Sequence, residues 1–443
     1  MTEIKSIYSE RCWIEGKLQP ATIHCKEGKI SAIDLFRQPD ALDMGNDVVM
    51  PGVIDVHVHV NEPGRTDWEG FETATKAATA GGITTIVDMP LNASPVTTNI
   101  IALQQKIEAA QHKLHTNVAF YGGLIPENAS SLEDLLSSGI VGIKCFLVHS
   151  GIDEFPNVTR QDLEIAMPVI AKHNMPLLVH CEMYDTEVES GLSSDVGNYK
   201  KYLSSRPKEW ENNAVAMMIE LCRKHHCPVH IVHVSSAEAL PLIAAAKEDG
   251  LPITAETCPH YIYFDAEDIP DYSTIYKCAP PIREKSNNDL LKRALIDGTL
   301  DFISTDHSPA PPNIKEIQSG NFLKAWGGIA GLQFLLSASW TAMKDAMALE
   351  QFIPCVTSKP ASFIKALNKA SIKIGNDADF VIWSPEDSFE VKAENVLHRY
   401  NISPYIGRKL NGVIKKTIIS GRIVFQDNLM DDQIKAGSFI IHK

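Results

Sequence analysis

The chain has 443 residues, 44% of them hydrophobic and 22% charged, with a formal net charge of −14. This is the composition of a soluble globular protein with room for a large core. The acidic balance excludes the basic stripes that nucleic acid requires and gives no general pull on anionic substrates, so a neutral small molecule fits better.

Residues 1–50 read as short strands, with turns at Glu15-Gly16 and Glu27-Gly28. The C-terminal segments "ADFVIWSP" (378–385) and "KKTIISGRIVFQDN" (415–428) read the same way, with a turn at Gly421. The simplest organisation is one small sandwich-like β module built from residues 1–50 and 366–443, flanking a unit over 51–365.

The middle of the chain alternates. Strands are expected at 48–60, 82–90, 117–124, 142–148, 176–182, 228–235, 252–259 and 301–309. Helices are expected between them, from "FETATKAATA" to "SNNDLLKRALIDG", with "GLQFLLSASWTAM" after the last strand. Eight such units over about 300 residues predict an α/β fold of the (β/α)8 barrel type. An open doubly wound sheet is the alternative, but no G-x-G-x-x-G follows the first strand.

The nine cysteines include no C-x-x-C pair, which suits a reducing compartment. No apolar run approaches the roughly 20 residues of a membrane span, and "MTEIKSIYSERCW" has no apolar signal core. The expectation is a cytoplasmic protein that acts on neither membrane nor nucleic acid.

The first strand, "GVIDVHVHVNEPG" (52–64), carries Asp55, His57 and His59 on one face and Ile54, Val56, Val58 and Val60 on the other. Two imidazoles two apart converge on one point, and imidazole is the commonest metal ligand. Alone, the pair is equally two satisfied polar groups at a strand end.

Barrel active sites gather at the C-terminal ends of the strands. Those ends carry Lys144 on the fourth, His180 on the fifth, His233 on the sixth and Asp306 on the eighth. Each has an ordinary explanation: a core histidine bonded to backbone, or an aspartate capping a helix. Together with His57 and His59 they point to a metal centre. Lys144 is the odd member, because an ammonium repels a cation. It can serve as a ligand only after its charge is replaced by a carboxylate, as in a carbamate formed with CO2.

This set resembles the amidohydrolase superfamily, and within it the cyclic amidohydrolases dihydroorotase, hydantoinase and allantoinase. The resemblance covers essentially the whole chain. Its finer motifs, "HVHVNEPGRTDWEGF" (57–71), "DMPLNASPVTT" (88–98), "GIKCFL", "ETCPHY" (256–261), "KCAPPIR" (277–283) and "STDHSPAPP" (304–312), stand nearest to allantoinases. Asp67 stands where Glu is frequent, and Ala93 and Ala330 where Ser is common.

The resemblance implies two divalent ions, zinc first, with iron, cobalt or manganese as alternatives. His57, His59 and Asp306 would hold one and His180 and His233 the other, with N6-carboxylated Lys144 and a hydroxide bridging. It further implies hydrolysis of a cyclic amide such as allantoin, with Asp306 moving the proton, and a homotetramer or homodimer. Asn61, Asn92, Cys278 and Ser308 are expected to contact substrate. Asn61 stands where dihydroorotases place an arginine, and its amide suits a neutral ring. Arg65 could restore that charge unless Asp67 or Glu69 occupies it. His260 and His307 are expected to be structural.

Overall fold

The computed structural model describes residues 3–184, 195–430 and 432–441. Its first strands, Ser6–Ile14, Lys17–Lys26 and Lys29–Asp34, pair antiparallel. Both residues of each linking pair, Glu15-Gly16 and Glu27-Gly28, have positive φ, the two-residue turn whose twist matches its strands. Ser420-Gly421 repeats this between Lys409–Ile419 and Arg422–Gln426. Val48–Pro51 joins the two ends of the chain. It lies beside Arg11–Cys12 on one side and Phe380–Trp383 on the other, inside a single nine-stranded sheet.

The single strand expected over 48–60 is divided at Gly52. A Cβ there would lie 2.0 Å from Thr84 Oγ1, so only glycine lets the chain pass from the antiparallel sheet into a parallel one. Beyond it, β1 (Val53–Val58), β2 (Ile83–Asp88) and β3 (Asn117–Phe120) form a parallel three-stranded sheet. Gly122–Gly123, β4 (Ile143–Phe146), β5 (Leu177–His180), β6 (Val229–Ile231), β7 (Ile253–Thr257) and β8 (Phe302–Ile303) form a parallel six-stranded one. The two sheets adjoin at both margins. Tyr121 alone separates β3 from Gly122, and Val58 of β1 bridges His307 in parallel, just past β8.

The expected helices are present, including Phe71–Ala80, Ile100–Ala110, Arg160–Lys172, Lys208–His225 and Lys285–Asp297. Asn99 and Thr159 cap two of them by accepting a backbone N–H. The fold is mixed α/β with parallel strands, and the terminal strands share one antiparallel sheet.

Two further features differ from the sequence expectation. The sixth and eighth strands stop early, at Ile231 and Ile303, and the backbone beyond them enters the left-handed region at His233 (φ 40°) and Asp306 (φ 46°). Such conformations are uncommon outside glycine and gather at functional sites. The end of the chain also leaves the antiparallel sheet. Residues 437–440 run beside β3, with Val118 N–H donating to Ser438 O and Ile440 N–H to Val118 O, both at 2.9 Å. Among the described residues no helix is long and apolar enough to cross a membrane.

Candidate metal centre

The C-terminal ends of β1, β5, β6 and β8 converge. His57 Nε2 and His59 Nε2 lie 3.1 and 3.2 Å from the same oxygen, Asp306 Oδ1. Opposite them, His180 Nδ1 is 3.0 Å from His233 Nε2. The His57 and His233 rings are 5.4 Å apart, and one ligand atom from each of His57, His233 and Asp306 fits within 4.8 Å. All five side chains are buried.

Lys144, on β4, completes the set. It is fully buried and its Nζ has no hydrogen-bond partner. Burial pulls its pKa down to about 8, although Asp306 acts to raise it. Among the described residues no carboxylate pairs with it, and its Nζ lies 4.9 Å from the centre of the Phe146 ring. Its charge in turn depresses His59, His180 and His233, each already lowered by desolvation.

Buried acids behind this set hold it in place. His57 Nδ1 is 2.6 Å from Glu256 Oε1, and Glu256 Oε2 is 3.3 Å from His230. His180 Nε2 is 2.9 Å from Glu182, which accepts from Arg206 at 2.5 Å. These bonds orient each ring so that its other nitrogen faces the cluster. Asp55, the third polar residue of β1, accepts from Thr305 Oγ1 at 2.5 Å and from the Thr305 and His57 N–H groups. It ties the two margins of the parallel sheets together.

A cavity of about 280 Å³ opens over the cluster. Asn92 and Ser308, two of the residues expected to contact substrate, are among its lining residues. Asn61 and Cys278 are not among its lining residues. Asn61 is buried with φ 66°, and its Nδ2 lies 3.5 Å from Pro309 O, bracing the loops after β1 and β8. Cys278 points its carbonyl to Tyr202 Oη at 2.6 Å, while its neighbours Lys277 and Ala279 reach the cavity.

Arg65 is occupied, but by neither Asp67 nor Glu69. It pairs with Glu154 at 2.8 Å and donates to Asn92 O at 3.0 Å. His307 accepts from the Gly331 and Leu332 N–H groups in the buried core, and His260 is buried beside Tyr261.

The sequence reading passed over Glu182, Arg206, Glu256, Lys277 and Lys315. Lys315 is buried, with its Nζ donating to the carbonyls of Lys277, Trp326 and Gly328. It thereby clamps the segments on either side of Ala279 and Gly327, which line the cavity. Glu256, within "ETCPHY", sits on the strand between the His233 and Asp306 strands, which is the signal the sequence carries for it.

Imidazoles, a carboxylate and an unpartnered lysine at the C-terminal ends of parallel strands define an α/β protein with a candidate metallohydrolase centre. The chain belongs to the amidohydrolase family, whose model matches residues 48–424. It is 43% identical to a probable allantoinase of Oryza sativa subsp. japonica, over 95% of this chain and 88% of that one. It is 44% identical to an allantoinase of Arabidopsis thaliana, over 87% and 79% respectively. Among solved structures it resembles the L-hydantoinase (dihydropyrimidinase) of Arthrobacter aurescens, with a TM-score of 0.92, 27% identity and coverage of 98% and 99%.

Proposed function

We propose that this protein hydrolyses a ring amide of allantoin to give allantoate, a step of purine breakdown, at a centre of two divalent metal ions. The observation that carries the metal reading is Lys144 Nζ, buried with no hydrogen-bond partner among the described residues and electrostatically coupled to His59, His180, His233 and Asp306. His57, His59 and Asp306 would hold one ion and His180 and His233 the other, with Lys144, carboxylated by CO2, shared between them. The donor set suits zinc, with iron, cobalt or manganese as alternatives. When bound, the ions would lower the pKa of water and polarise the carbonyl under attack.

The remaining steps fall to the chain. An Asp306 carboxylate oxygen accepts the proton of the attacking water, and the same oxygen returns it to the ring nitrogen as the carbon–nitrogen bond breaks. Glu256 and Glu182 hold the imidazoles of His57 and His180 in the tautomer that aims a lone pair at the cluster. Asn92 and Ser308 meet the ring from the cavity wall, and Asn61 acts through the loop it braces.

The parallel strands read as a closed (β/α)8 barrel over 51–365, with a β module from 1–50 and 366–443 beside it. A cytoplasmic homo-oligomer, tetramer or dimer, completes the proposal. Hydantoin or dihydropyrimidine hydrolysis is the second reading, supported by the likeness to the Arthrobacter hydantoinase. Metal analysis with turnover of allantoin, hydantoin and dihydroorotate side by side tests both. Allantoin should have the highest kcat/KM. Equal or faster turnover of either other ring would replace it, and a metal-free protein inert on all three would point to a scaffold relative.

A further inference from the structure

We infer that Arg206 is the residue that recognises the ureido side chain of the substrate, by donating to its carbonyl oxygen. The inference rests on the allantoin reading above. Allantoin is a hydantoin ring carrying a ureido group, so an enzyme selective for it needs donors for that group beyond those that hold the ring.

The cavity wall leaves few candidates among the described residues. Ser308 Oγ accepts from Trp326 Nε1 at 3.2 Å, which leaves it a single O–H, the donor proposed above to meet the ring. Lys277 Nζ donates to Ala325 O at 2.5 Å and Leu323 O at 3.3 Å. Ser150 Oγ donates to Phe155 O at 2.7 Å, and Asn92 Nδ2 faces His59 Nδ1 at 3.4 Å. Lys324 is exposed.

Lys324 apart, each of these side chains keeps at most one or two unused N–H or O–H donors, whereas Arg206 keeps more. It lines the cavity beside His180, with a side chain 20% exposed. Its one side-chain hydrogen bond to a described residue runs through Nη1 to Glu182, at 2.5 Å. A guanidinium has five N–H donors in a fixed fork, so donors remain on the cavity side. The guanidinium carbon lies 6.0 Å from the Trp210 ring centre, and the Arg206 carbonyl accepts from Arg283 Nη1 at 3.2 Å. The first contact places the guanidinium and the second holds the backbone beneath it.

The charge of Arg206 is matched by the fully buried Glu182. The pair therefore offers donors with little net charge, which favours a neutral carbonyl over a carboxylate.

The test compares allantoin with hydantoin, which lacks the ureido group, in the wild type, Arg206→Lys and Arg206→Gln, each with its metal content measured. Hydantoin is read as a substrate or, where turnover is slow, as a competitive inhibitor of allantoin hydrolysis. Arg206→Lys can keep the bond to Glu182 but loses the fork. The preference for allantoin over hydantoin should fall by about 10–100-fold in both variants, the scale of one hydrogen bond to a charged donor. A preference unchanged within about twofold, whatever happens to the absolute rates, would overturn the role of Arg206 and leave the proposed reaction standing. A metal-loaded wild type inert on allantoin would remove the reaction and this inference together.

Discussion

Two imidazoles of the cluster are each backed by a buried glutamate, and the two glutamates are balanced in different ways. Glu256 faces His57 and His230 alone. Glu182 faces His180 and the permanent cation of Arg206. Burial alone would raise both acids, yet both are held below the ordinary range, Glu256 chiefly by His57, and Glu182, at about 2, chiefly by Arg206. The imidazoles diverge as a result. Burial pulls both rings down, but on His57 the charges of Asp306 and Glu256 prevail and raise it to about 9. His180, whose glutamate is already matched by Arg206, stays below the usual value. In the metal-free protein His57 thus gathers a proton that His59 and His180 do not.

Lys144 is the group proposed to join the halves, so its removal should have the largest effect. Lys144→Ala should lose bound metal and turnover together. Lys144→Arg should do no better, because a guanidinium forms no stable carbamate. A Lys144→Ala protein with full metal content and a normal rate would separate Lys144 from the centre. Next comes Asp306→Asn on the His57 side. An amide coordinates weakly and accepts no proton, so part of the metal should remain while kcat falls by about 10² or more. Near-normal turnover would assign the proton transfer to another group.

The six proposed ligands were legible because a period-two strand announces polar residues on a buried face, and because parallel strands send their C-terminal ends to one place. The supporting acids were less so. Glu182 and Glu256 look like any strand-end carboxylate until the neighbouring strands are laid beside them. Residue parity along a strand also fails where the backbone turns left-handed, as it does at Asn61, Asn92, His233 and Asp306. Asn61 was expected at the substrate from its place two residues after His59, where dihydroorotases carry an arginine, and its Nδ2 lies 3.5 Å from Pro309 O. The terminal sheet was legible from its turns, but not the final run of 437–440 beside β3, whose contacts depend on long-range docking.

Exchanging each glutamate for its amide sharpens the contrast. Either Glu256→Gln or Glu182→Gln should weaken metal binding by about 10–100-fold, the usual cost of losing a ligand's orienting partner. Their effects on the metal-free protein should differ. Glu182→Gln strands a buried cation and should cost about 2–3 kcal/mol, below the full penalty because Arg206 has some access to the cavity. Glu256→Gln strands only imidazoles, which can release their protons, and should cost about 1 kcal/mol. Urea unfolding of the chelated proteins at neutral pH measures both, and equal losses would mean that Arg206 is not what balances Glu182.

The smallest and most discriminating effect lies in the pH dependence of those two gaps from the wild type. A carboxylate held below its ordinary pKa contributes stability above the unfolded value, which disappears as pH falls and the unfolded chain binds the proton first. Glu182 has an ordinary value of 4.5 and a folded value of about 2. The gap between wild type and Glu182→Gln should therefore close as pH drops from about 4.5 toward 2, and stay constant from pH 6 to 9, because Arg206 remains charged throughout. Glu256 should show the same closure in acid and a second one in alkali. Its partner His57 is raised from 6.5 to about 9, so the proton on His57 stabilises the metal-free protein fully below about 6.5. That contribution is lost as pH rises through 9, and with it goes what Glu256 gains from pairing with a cation. Unfolding midpoints of the three chelated proteins from pH 2 to 10 should give a one-sided closure for Glu182→Gln and a two-sided one for Glu256→Gln. Metal should abolish the alkaline closure by taking the place of the His57 proton. A flat alkaline limb in the metal-free Glu256→Gln comparison would show that His57 is neutral there, and that the two halves of the site carry charge alike.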